Sequence, residues 1–302
     1  MAPTWQVMSA SVAGAAHVAQ GVAKQDAVAV VPTAATTSSP GPLAVAVADG
    51  HGHRRHFRSR EGAHLAVGAA CLVALAAADQ VAAARHAGEA ADLATRALVP
   101  QLVHRWRSAV IEDRARRPIT VDEKAHSDLD ADEVDEDPYL AYGTTLLLVL
   151  VSGRWVLCLQ IGDGTIVAID ATGGTQLPVP PDPLLDGRHT TSLCQPTAVE
   201  SFRVAALDLA ADPPSALLVA TDGYGNAQID EPWEPGVGRD LHRFLHEQGT
   251  AWVASNLGDW VARCASSEGS GDDTTVALVV RDPAPGNPSG EDRAARVASP
   301  SP

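Results

Sequence analysis

The sequence has few aromatic residues, few cysteines and little positive charge. Aromatic side chains make up 4% of its 302 residues although 45% are hydrophobic, so the core must consist mainly of Ala, Val and Leu. Its 22 lysines and arginines stand against 37 acidic residues, and the formal charge of −15 argues against nucleic acid or an anionic membrane surface as the main partner. The four cysteines form no CxxC pair, which excludes a zinc ribbon and indicates a reducing compartment.

Two features of secreted and membrane proteins are also missing. Residues 1–6 lack the basic region followed by an apolar stretch with which a signal peptide begins. The longest unbroken apolar run, residues 69–78, is too short to span a bilayer. We therefore expect a soluble, cytoplasmic protein, and we expect it to be a monomer.

The order of the predicted elements indicates layered antiparallel sheets. Apolar runs predict strands at residues 5–12, 27–31, 43–48, 142–151, 155–161, 165–169, 190–193, 202–207, 217–220 and 274–280. A proline-free stretch rich in Ala and Leu predicts a helix at residues 61–84, and apolar residues at helical spacing predict helices at residues 90–111 and 239–265. The three strands between residues 142 and 169 have the spacing of an antiparallel meander. Runs of strands with helices in pairs predict one α+β domain over residues 1–281, rather than βαβ units.

Two segments differ in composition from the rest of the chain. Residues 121–138 contain nine acidic residues and Lys124, a net −8 of the total −15, and such a charge run predicts a solvated, flexible loop. The run is not an EF-hand, because Glu133 takes the place of the required glycine and Tyr139 stands at the twelfth position. Residues 282–302 are rich in Pro, Gly, Ser and Arg and predict a flexible tail.

Acidic residues recur where the predicted core strands begin or end. The pieces are Gln25-Asp26, Asp49-Gly50, Asp163-Gly164, Asp222-Gly223 and Asp272-Asp273. One such aspartate is common, because Asp and Gly both favour turns. Five are harder to explain as turns alone, because strand ends in layered sheets converge on shared edges. We therefore expect these carboxylates to lie close together.

Carboxylates in close contact need a cation between them. Without one they repel each other strongly, and one of them takes up a proton. Hard divalent ions such as Mg²⁺ and Mn²⁺ prefer oxygen ligands, whereas the sequence has no thiolate or paired-histidine set that would favour zinc. A glycine after an aspartate also lets the backbone carbonyl turn inward as a further ligand. The pattern predicts a site for Mn²⁺ or Mg²⁺.

At these residues the sequence resembles the PP2C-type (PPM) protein phosphatases. The matching pieces follow that family's order: Gln25-Asp26-Ala27, Ala48-Asp49-Gly50-His51-Gly52, Gly143-Thr144-Thr145, Ile161-Gly162-Asp163-Gly164, Ala220-Thr221-Asp222-Gly223 and Gly271-Asp272-Asp273-Thr274-Thr275-Val276. Each motif alone is weak evidence for the family, but the ordered set is strong evidence. The set spans roughly residues 5–281. The glycine after Asp163 and the upstream His17 resemble a bacterial branch.

The resemblance implies a four-layer α/β/β/α sandwich in which two stacked antiparallel sheets are flanked by helix pairs. It also implies two metal ions, and a third as in bacterial relatives. Asp49 would bridge two ions, and the carbonyl of Gly50 would bind one of them. The remaining implied roles are Asp222 and Asp272 on the other ion, Asp26 directly or through water, Asp163 with Asp222 on a third ion, and Gln25 and Asp273 as supporting residues.

The implied reaction is the hydrolysis of phosphoserine and phosphothreonine in proteins by a water that two metal ions activate. His51 stands where the family has a histidine proposed to protonate the leaving oxygen. The partner would be a phosphorylated protein, and the enzyme would oppose a Ser/Thr kinase.

The sequence departs from the family at the residues that bind the substrate's phosphate. Gly21 stands where many relatives have a phosphate-clamping arginine, Lys24 stands where they often have Asn, and Gly164-Thr165 replaces their Ser-Arg. Positive charge could come instead from His17, Lys24, Arg54 or Arg55.

These departures leave two alternatives open. The first is a catalytically silent module that binds a phosphoprotein or a partner kinase. The second is an unrelated metal-binding or nucleotide-binding protein, although the chain contains neither GxxxxGK[ST] nor a GxGxxG between strand and helix.

Overall fold

The computed structural model describes residues 4–32, 41–127, 136–183, 185 and 190–282. The strands are β1 (Trp5–Val12), β2 (Ala27–Val31), β3 (Leu43–Ala48), β4 (Leu146–Ser152), β5 (Trp155–Ile161), β6 (Thr165–Ile169), β7 (Thr175–Gln176), β8 (Arg203–Asp208), β9 (Ala216–Ala220) and β10 (Thr274–Arg281). The α-helices are α1 (Ala15–Gln20), α2 (Ser59–Ala82), α3 (Ala87–Leu93), α4 (Val99–Arg116), α5 (Val121–His126), α6 (Ala198–Ser201), α7 (Asp222–Gly225), α8 (Glu234–Glu247) and α9 (Thr250–Cys264).

The strands form two five-stranded antiparallel sheets. The first sheet has the order β1-β10-β9-β6-β7, and the second has the order β2-β3-β4-β5-β8. Helices α2, α3 and α4 cover the second sheet, whereas α8 and α9 cover the first. The α+β fold and the four-layer α/β/β/α sandwich predicted from the sequence are confirmed.

Strand β3 shows how small residues build this core. Val45 and Val47 point toward the other sheet, and Ala44, Ala46 and Ala48 point toward α2. Helix α2 presents alanines in return, so its backbone can approach the sheet closely. The apolar area buried in this way drives folding although aromatic residues are scarce. By length and composition α2 could also cross a membrane, but here its buried face belongs to the core.

Several predicted elements differ from the structure. Strand β6 is not the third strand of a meander, because β4 and β5 pair in one sheet while β6 pairs with β9 in the other. Residues 190–193 form no strand. The helix predicted at residues 239–265 is two helices, α8 and α9, that separate at Gly249, whose φ of +84° a helix cannot include. The helix predicted at residues 90–111 is longer and runs from α3 through a π-helical turn at Ala94–Leu98 into α4.

The acidic segment is ordered where it begins. Residues 121–126 form α5, which starts with a capping box between Thr120 and Glu123. The Glu123 carboxylate also accepts hydrogen bonds from the buried Arg58 guanidinium at 2.8 and 2.9 Å. The expectation of a loop is therefore wrong for this part. Residues 128–135 and the tail at 283–302 lie outside the described residues.

The pairing of strands brings the acidic pieces to one end of the sandwich. In the second sheet, Ala27 pairs with Ala48 and Leu146 pairs with Ile161, so Asp26 and Asp49 lie at the same end as Gly162. In the first sheet, Ala220 pairs with both Thr165 and Val276. The turns that contain Asp163, Asp222 and Asp272 therefore share an edge.

The close approach of α2 to the segment before β4 can be tested with two glycines of one helix. A Cβ on Gly62 would lie 2.0 Å from the backbone oxygen of Tyr142, whereas a Cβ on Gly68 would meet nothing within 4 Å. We expect Gly62→Ala to lower the free energy of unfolding by about 1–3 kcal/mol or more, because the contact atom is backbone. Gly68→Ala should raise it by about 0.5–1 kcal/mol, because alanine favours helix. Urea denaturation measures both, and equal effects would contradict the close packing.

Candidate metal centre

Three aspartates from three separate turns meet in a cleft at this end of the sandwich. One carboxylate oxygen from each of Asp49, Asp163 and Asp222 lies within 4.8 Å of the others, and all three side chains are partly buried. The cleft has a volume of about 780 Å³, and Gln25 and Asp272 also line it. The structure thus brings together residues that are up to 173 positions apart in the sequence.

Backbone and hydroxyl groups hold Asp49 in place. Its carbonyl accepts hydrogen bonds from the backbone N–H of Thr145 and the hydroxyl of Thr144, both at 2.8 Å. Its own N–H donates to the hydroxyl of Thr145 at 3.1 Å. The two threonines of the Gly143-Thr144-Thr145 motif therefore fix the turn that carries Asp49.

Gly50 is required by close packing. A Cβ at this position would lie 2.8 Å from the backbone of Ser59 at the start of α2. Gly50 also forms a β-bridge with Thr144. Helix α2 and the Asp49 turn are therefore in direct contact, and any larger residue would move them apart. Binding of a metal by the Gly50 carbonyl stays a prediction.

Two carboxylates each have one buried oxygen without a hydrogen-bond partner among the described residues. Asp26 is fully buried, and its Oδ2 accepts a hydrogen bond from the Thr221 hydroxyl at 2.9 Å, whereas its Oδ1 has no partner. Asp222 is the first residue of α7; its Oδ2 accepts a hydrogen bond from Asn226 at 3.1 Å, and its Oδ1 has no partner. Buried oxygens of this kind normally have a partner, so each is a candidate ligand.

Asp272 and Asp273 occupy different environments although they are neighbours. The Asp272 side chain is 49% exposed and faces the cleft. The Asp273 carboxylate is buried and accepts hydrogen bonds from the backbone N–H groups of Gly14 at 2.7 Å and Gln25 at 2.6 Å. Asp273 therefore links the closing strand to the segment before β2, and its supporting role at the metal centre stays a prediction.

The carboxyl groups share an environment that disfavours negative charge. Burial, followed by the charges of Asp26 and Asp222, raises the pKa of Asp49 well above its usual range. Burial and the charge of Asp163 raise the pKa of Asp222 to about 6, and burial raises the pKa of Asp163. Burial also raises the pKa of Asp26 to about 7. A divalent cation would remove this penalty, and an all-oxygen set with two unsatisfied buried oxygens fits a hard ion such as Mn²⁺ or Mg²⁺.

His51 lines the same cleft as the three carboxylates. Its backbone N–H donates to the carbonyl of Gly143 at 3.1 Å, and its ring centre is 4.9 Å from that of His56. Burial, and then the neighbouring His56, lower the pKa of His51 to about 3. The imidazole is therefore neutral at pH 7 in the free protein.

The structure separates the four candidates for phosphate binding. His17 lines the cleft, but its Nδ1 lies 3.0 Å from Asp273. Lys24 is turned away, because its ammonium donates to the hydroxyl of Ser11 and to the carbonyl of Asp26, and burial lowers its pKa. Arg54 and Arg55 both lie in a 3-10 turn, but only Arg55 reaches the cleft. Among the described residues that line the cleft, Arg55 is the only lysine or arginine.

The sequence matches the protein phosphatase 2C family over residues 13–262. The chain belongs to this family. A comparison with curated protein sequences finds no match. The family assignment therefore rests on this match, on the fold and on the order of the aspartate turns.

Solved structures of bacterial serine/threonine phosphatases have the same fold. PppA of Pseudomonas aeruginosa, a regulatory component of the type VI secretion system, is 20% identical, with a TM-score of 0.51 over 92% of this chain and 98% of PppA. PstP/Ppp of Mycobacterium tuberculosis is 15% identical, with a TM-score of 0.51 over 92% of this chain and 98% of that one. The catalytic domain of PstP in complex with two manganese ions is 16% identical, with a TM-score of 0.50 over 93% and 100% of the two chains. At these identities the likeness concerns the fold.

The raised carboxyl pKa values of this phosphatase-family cleft predict how metal binding depends on pH. Without metal, the folded protein holds protons that the unfolded chain, with an aspartate pKa of 3.8, releases. In the metal-free protein, the protonated carboxyl groups of Asp26 and Asp222 therefore stabilise the folded state. Their contribution is full below the unfolded pKa, and it is lost as the pH rises through the folded pKa values of about 7 for Asp26 and about 6 for Asp222. Mn²⁺ must displace the same protons, so its stabilising effect should be small at about pH 5 and complete above about pH 7.5.

Thermal unfolding with and without Mn²⁺ measures this effect. With Mn²⁺ at about 100 times its dissociation constant, we expect a stabilisation of about 2.7 kcal/mol at neutral pH. Asp222→Asn should reduce the effect, and Asp259→Asn, an exposed aspartate on α9, should not change it. A stabilisation by Mn²⁺ that is equal at both pH values would contradict the assignment of these carboxylates.

Proposed function

We propose that this protein hydrolyses phosphoserine and phosphothreonine in proteins with Mn²⁺ or Mg²⁺ as its cofactor. The observation that carries the proposal is the group of Asp49, Asp163 and Asp222 in an open cleft of a protein phosphatase 2C fold. The PstP catalytic domain, which has this fold, binds two manganese ions. The cytoplasm is the proposed location, and a phosphoprotein made by a Ser/Thr kinase is the proposed substrate of the monomer.

The proposed ligands are the residues that the sequence indicated. Asp49 would be the ligand shared by two ions, and the Gly50 carbonyl, Asp222 and Asp272 would be further ligands. Asp26, with its unpartnered Oδ1, would act directly or through water, and Asp163 with Asp222 would hold a third ion. Bound ions of this kind lower the pKa of water and offset the charge of the phosphoryl oxygens.

The protein's own side chains would position the substrate and move the proton. Arg55 is the proposed phosphate-binding residue, because a guanidinium can donate two hydrogen bonds to phosphate oxygens. His51 is the proposed proton donor to the leaving serine or threonine oxygen. Because its pKa is about 3 in the free protein, this role requires that the dianionic phosphate of the substrate raise it.

One observation favours a second candidate function. At Gly21, where relatives carry a phosphate-clamping arginine, the backbone has a φ of +67° and a Cβ would meet nothing within 4 Å. A cleft without a strong clamp could bind a phosphoprotein or a kinase without hydrolysing it. This alternative predicts binding that survives Asp222→Asn.

Hydrolysis of a phosphothreonine peptide distinguishes the two functions. We expect turnover that requires Mn²⁺ or Mg²⁺ and stops on addition of a chelator. Asp49→Asn should lower kcat by at least about 100-fold, because it removes the ligand proposed to bridge the ions. Asp259→Asn, at an exposed position that does not line the cleft, is the matched control and should leave kcat unchanged. Turnover that persists in chelator or in Asp49→Asn would contradict the proposed mechanism, and no turnover with tight phosphopeptide binding would favour the silent module.

A pair of neighbouring arginines tests the phosphate site. Arg55→Ala should raise KM for the phosphopeptide by about 10- to 100-fold, the loss expected for a hydrogen bond to a charged group. Arg54→Ala removes the same charge from the same turn at a position that does not line the cleft, so its effect should be much smaller. Equal effects of the two variants would show that only the net charge of the turn matters.

A further inference from the structure

A ring of buried polar side chains surrounds Gly162, the residue before Asp163. The Gly162 N–H donates to the Thr191 hydroxyl at 2.9 Å, and the Gly162 carbonyl accepts from the Arg203 guanidinium at 2.8 Å. The Thr191 hydroxyl in turn donates to the Asp182 carboxylate at 2.9 Å. The ring closes because the Nε of Arg203 lies 3.7 Å from the same carboxylate.

The ring is shielded from water. The Asp182 side chain is 3% exposed, the Arg203 side chain is 13% exposed, and Thr191 is buried. Hydrogen bonds in such a setting are stronger than at the surface, and an unpaired member is costly. The N–H and the carbonyl of Gly162 are therefore both fixed by side chains from a later part of the chain, those of Thr191 and Arg203.

The backbone around Asp163 has little freedom to relax. Gly162 has a φ of +99°, and a Cβ there would lie 2.5 Å from the side chain of Thr145, the residue that also bonds Asp49. On the other side of Asp163, the Gln160 side chain donates to the Gly164 carbonyl. The turn is thus held before and after Asp163, and its carboxylate is directed at Asp49 and Asp222.

We propose that Thr191, Asp182 and Arg203 are positioning residues that set the carboxylate of Asp163 for metal binding. None of the three lines the cleft, and Thr191 and Arg203 both hydrogen-bond the Gly162 backbone. The inference rests on the proposed function, because it takes Asp163 as a ligand. The segment at residues 190–192 then has two roles. Thr190 and Ser192 line the cleft, and Thr191 holds the turn that carries Asp163.

Two variants at one position separate the hydroxyl from the shape of the side chain. Thr191→Val keeps the shape but removes both hydrogen bonds, whereas Thr191→Ser keeps the hydroxyl. The measurement is calorimetric titration of the metal-free protein with Mn²⁺, with Asp163→Asn as the reference for loss of the ligand. We expect Thr191→Val and Arg203→Met to weaken by about 10- to 100-fold the same binding step that Asp163→Asn weakens, and Thr191→Ser to bind like wild type.

A second arginine, next to the same pair of strands, is the matched control. Arg154, in the turn before β5, forms an ion pair with Asp208 at the end of β8 opposite Arg203, and is exposed. Arg154→Met should leave Mn²⁺ binding unchanged. Circular dichroism and thermal unfolding confirm that each variant is folded; if Thr191→Val is not, Asp182→Asn, which keeps the shape but removes the charge, takes its place.

The outcomes distinguish this inference from the proposed function. Folded Thr191→Val and Arg203→Met proteins that bind Mn²⁺ like wild type would overturn the inference and leave the metal centre intact. A wild-type protein that binds no Mn²⁺ would overturn the metal centre itself. In that case hydrogen exchange of the Gly162 and Asp163 amides still tests the ring: faster exchange in Thr191→Val than in Thr191→Ser supports it, and equal rates overturn it.

Discussion

The repulsion between carboxylates at one end of the sandwich is the constraint on which the rest of the site depends. Four aspartates that would each be better solvated in water are held together by a scaffold of strands, so their pKa values rise. The scaffold must therefore be rigid enough to oppose this repulsion until a cation removes it. Contacts of backbone against backbone at Gly50 and Gly62, and the hydroxyls of Thr144 and Thr145, provide that rigidity.

Much of the fold was predictable because the strands are short, apolar and separated by glycine turns. The bounds of β5 and β6 agree with the sequence prediction residue for residue. Their placement in different sheets was not predictable, because β6 is apolar on both faces and periodicity does not show which neighbour it pairs with. Residues 190–193 have a strand-like composition, yet their polar groups bond to Thr144, Gly162 and Asp182 instead of to a neighbouring strand.

The residues of the site also fall into those that the sequence predicts and those that it does not. The aspartates could be identified from the sequence because each stands beside a strand end and the set follows the order of a known family. Their supports could not, because they depend on pairs that only the folded chain brings together, such as Arg203 with Gly162 and Asp273 with Gly14. The same limit applies to phosphate binding. From the sequence, four residues are equal candidates for phosphate binding. In the structure, Lys24 turns toward Ser11 and Arg55 lines the cleft.

The central claim is that the aspartate cluster binds divalent metal ions. The most direct measurement is anomalous X-ray diffraction from a crystal soaked in Mn²⁺. We expect anomalous peaks between the carboxylates of Asp49 and Asp222, with Asp272 and the Gly50 carbonyl among the ligands. A crystal that shows no anomalous density beside Asp49 and Asp222 at saturating Mn²⁺ would contradict it.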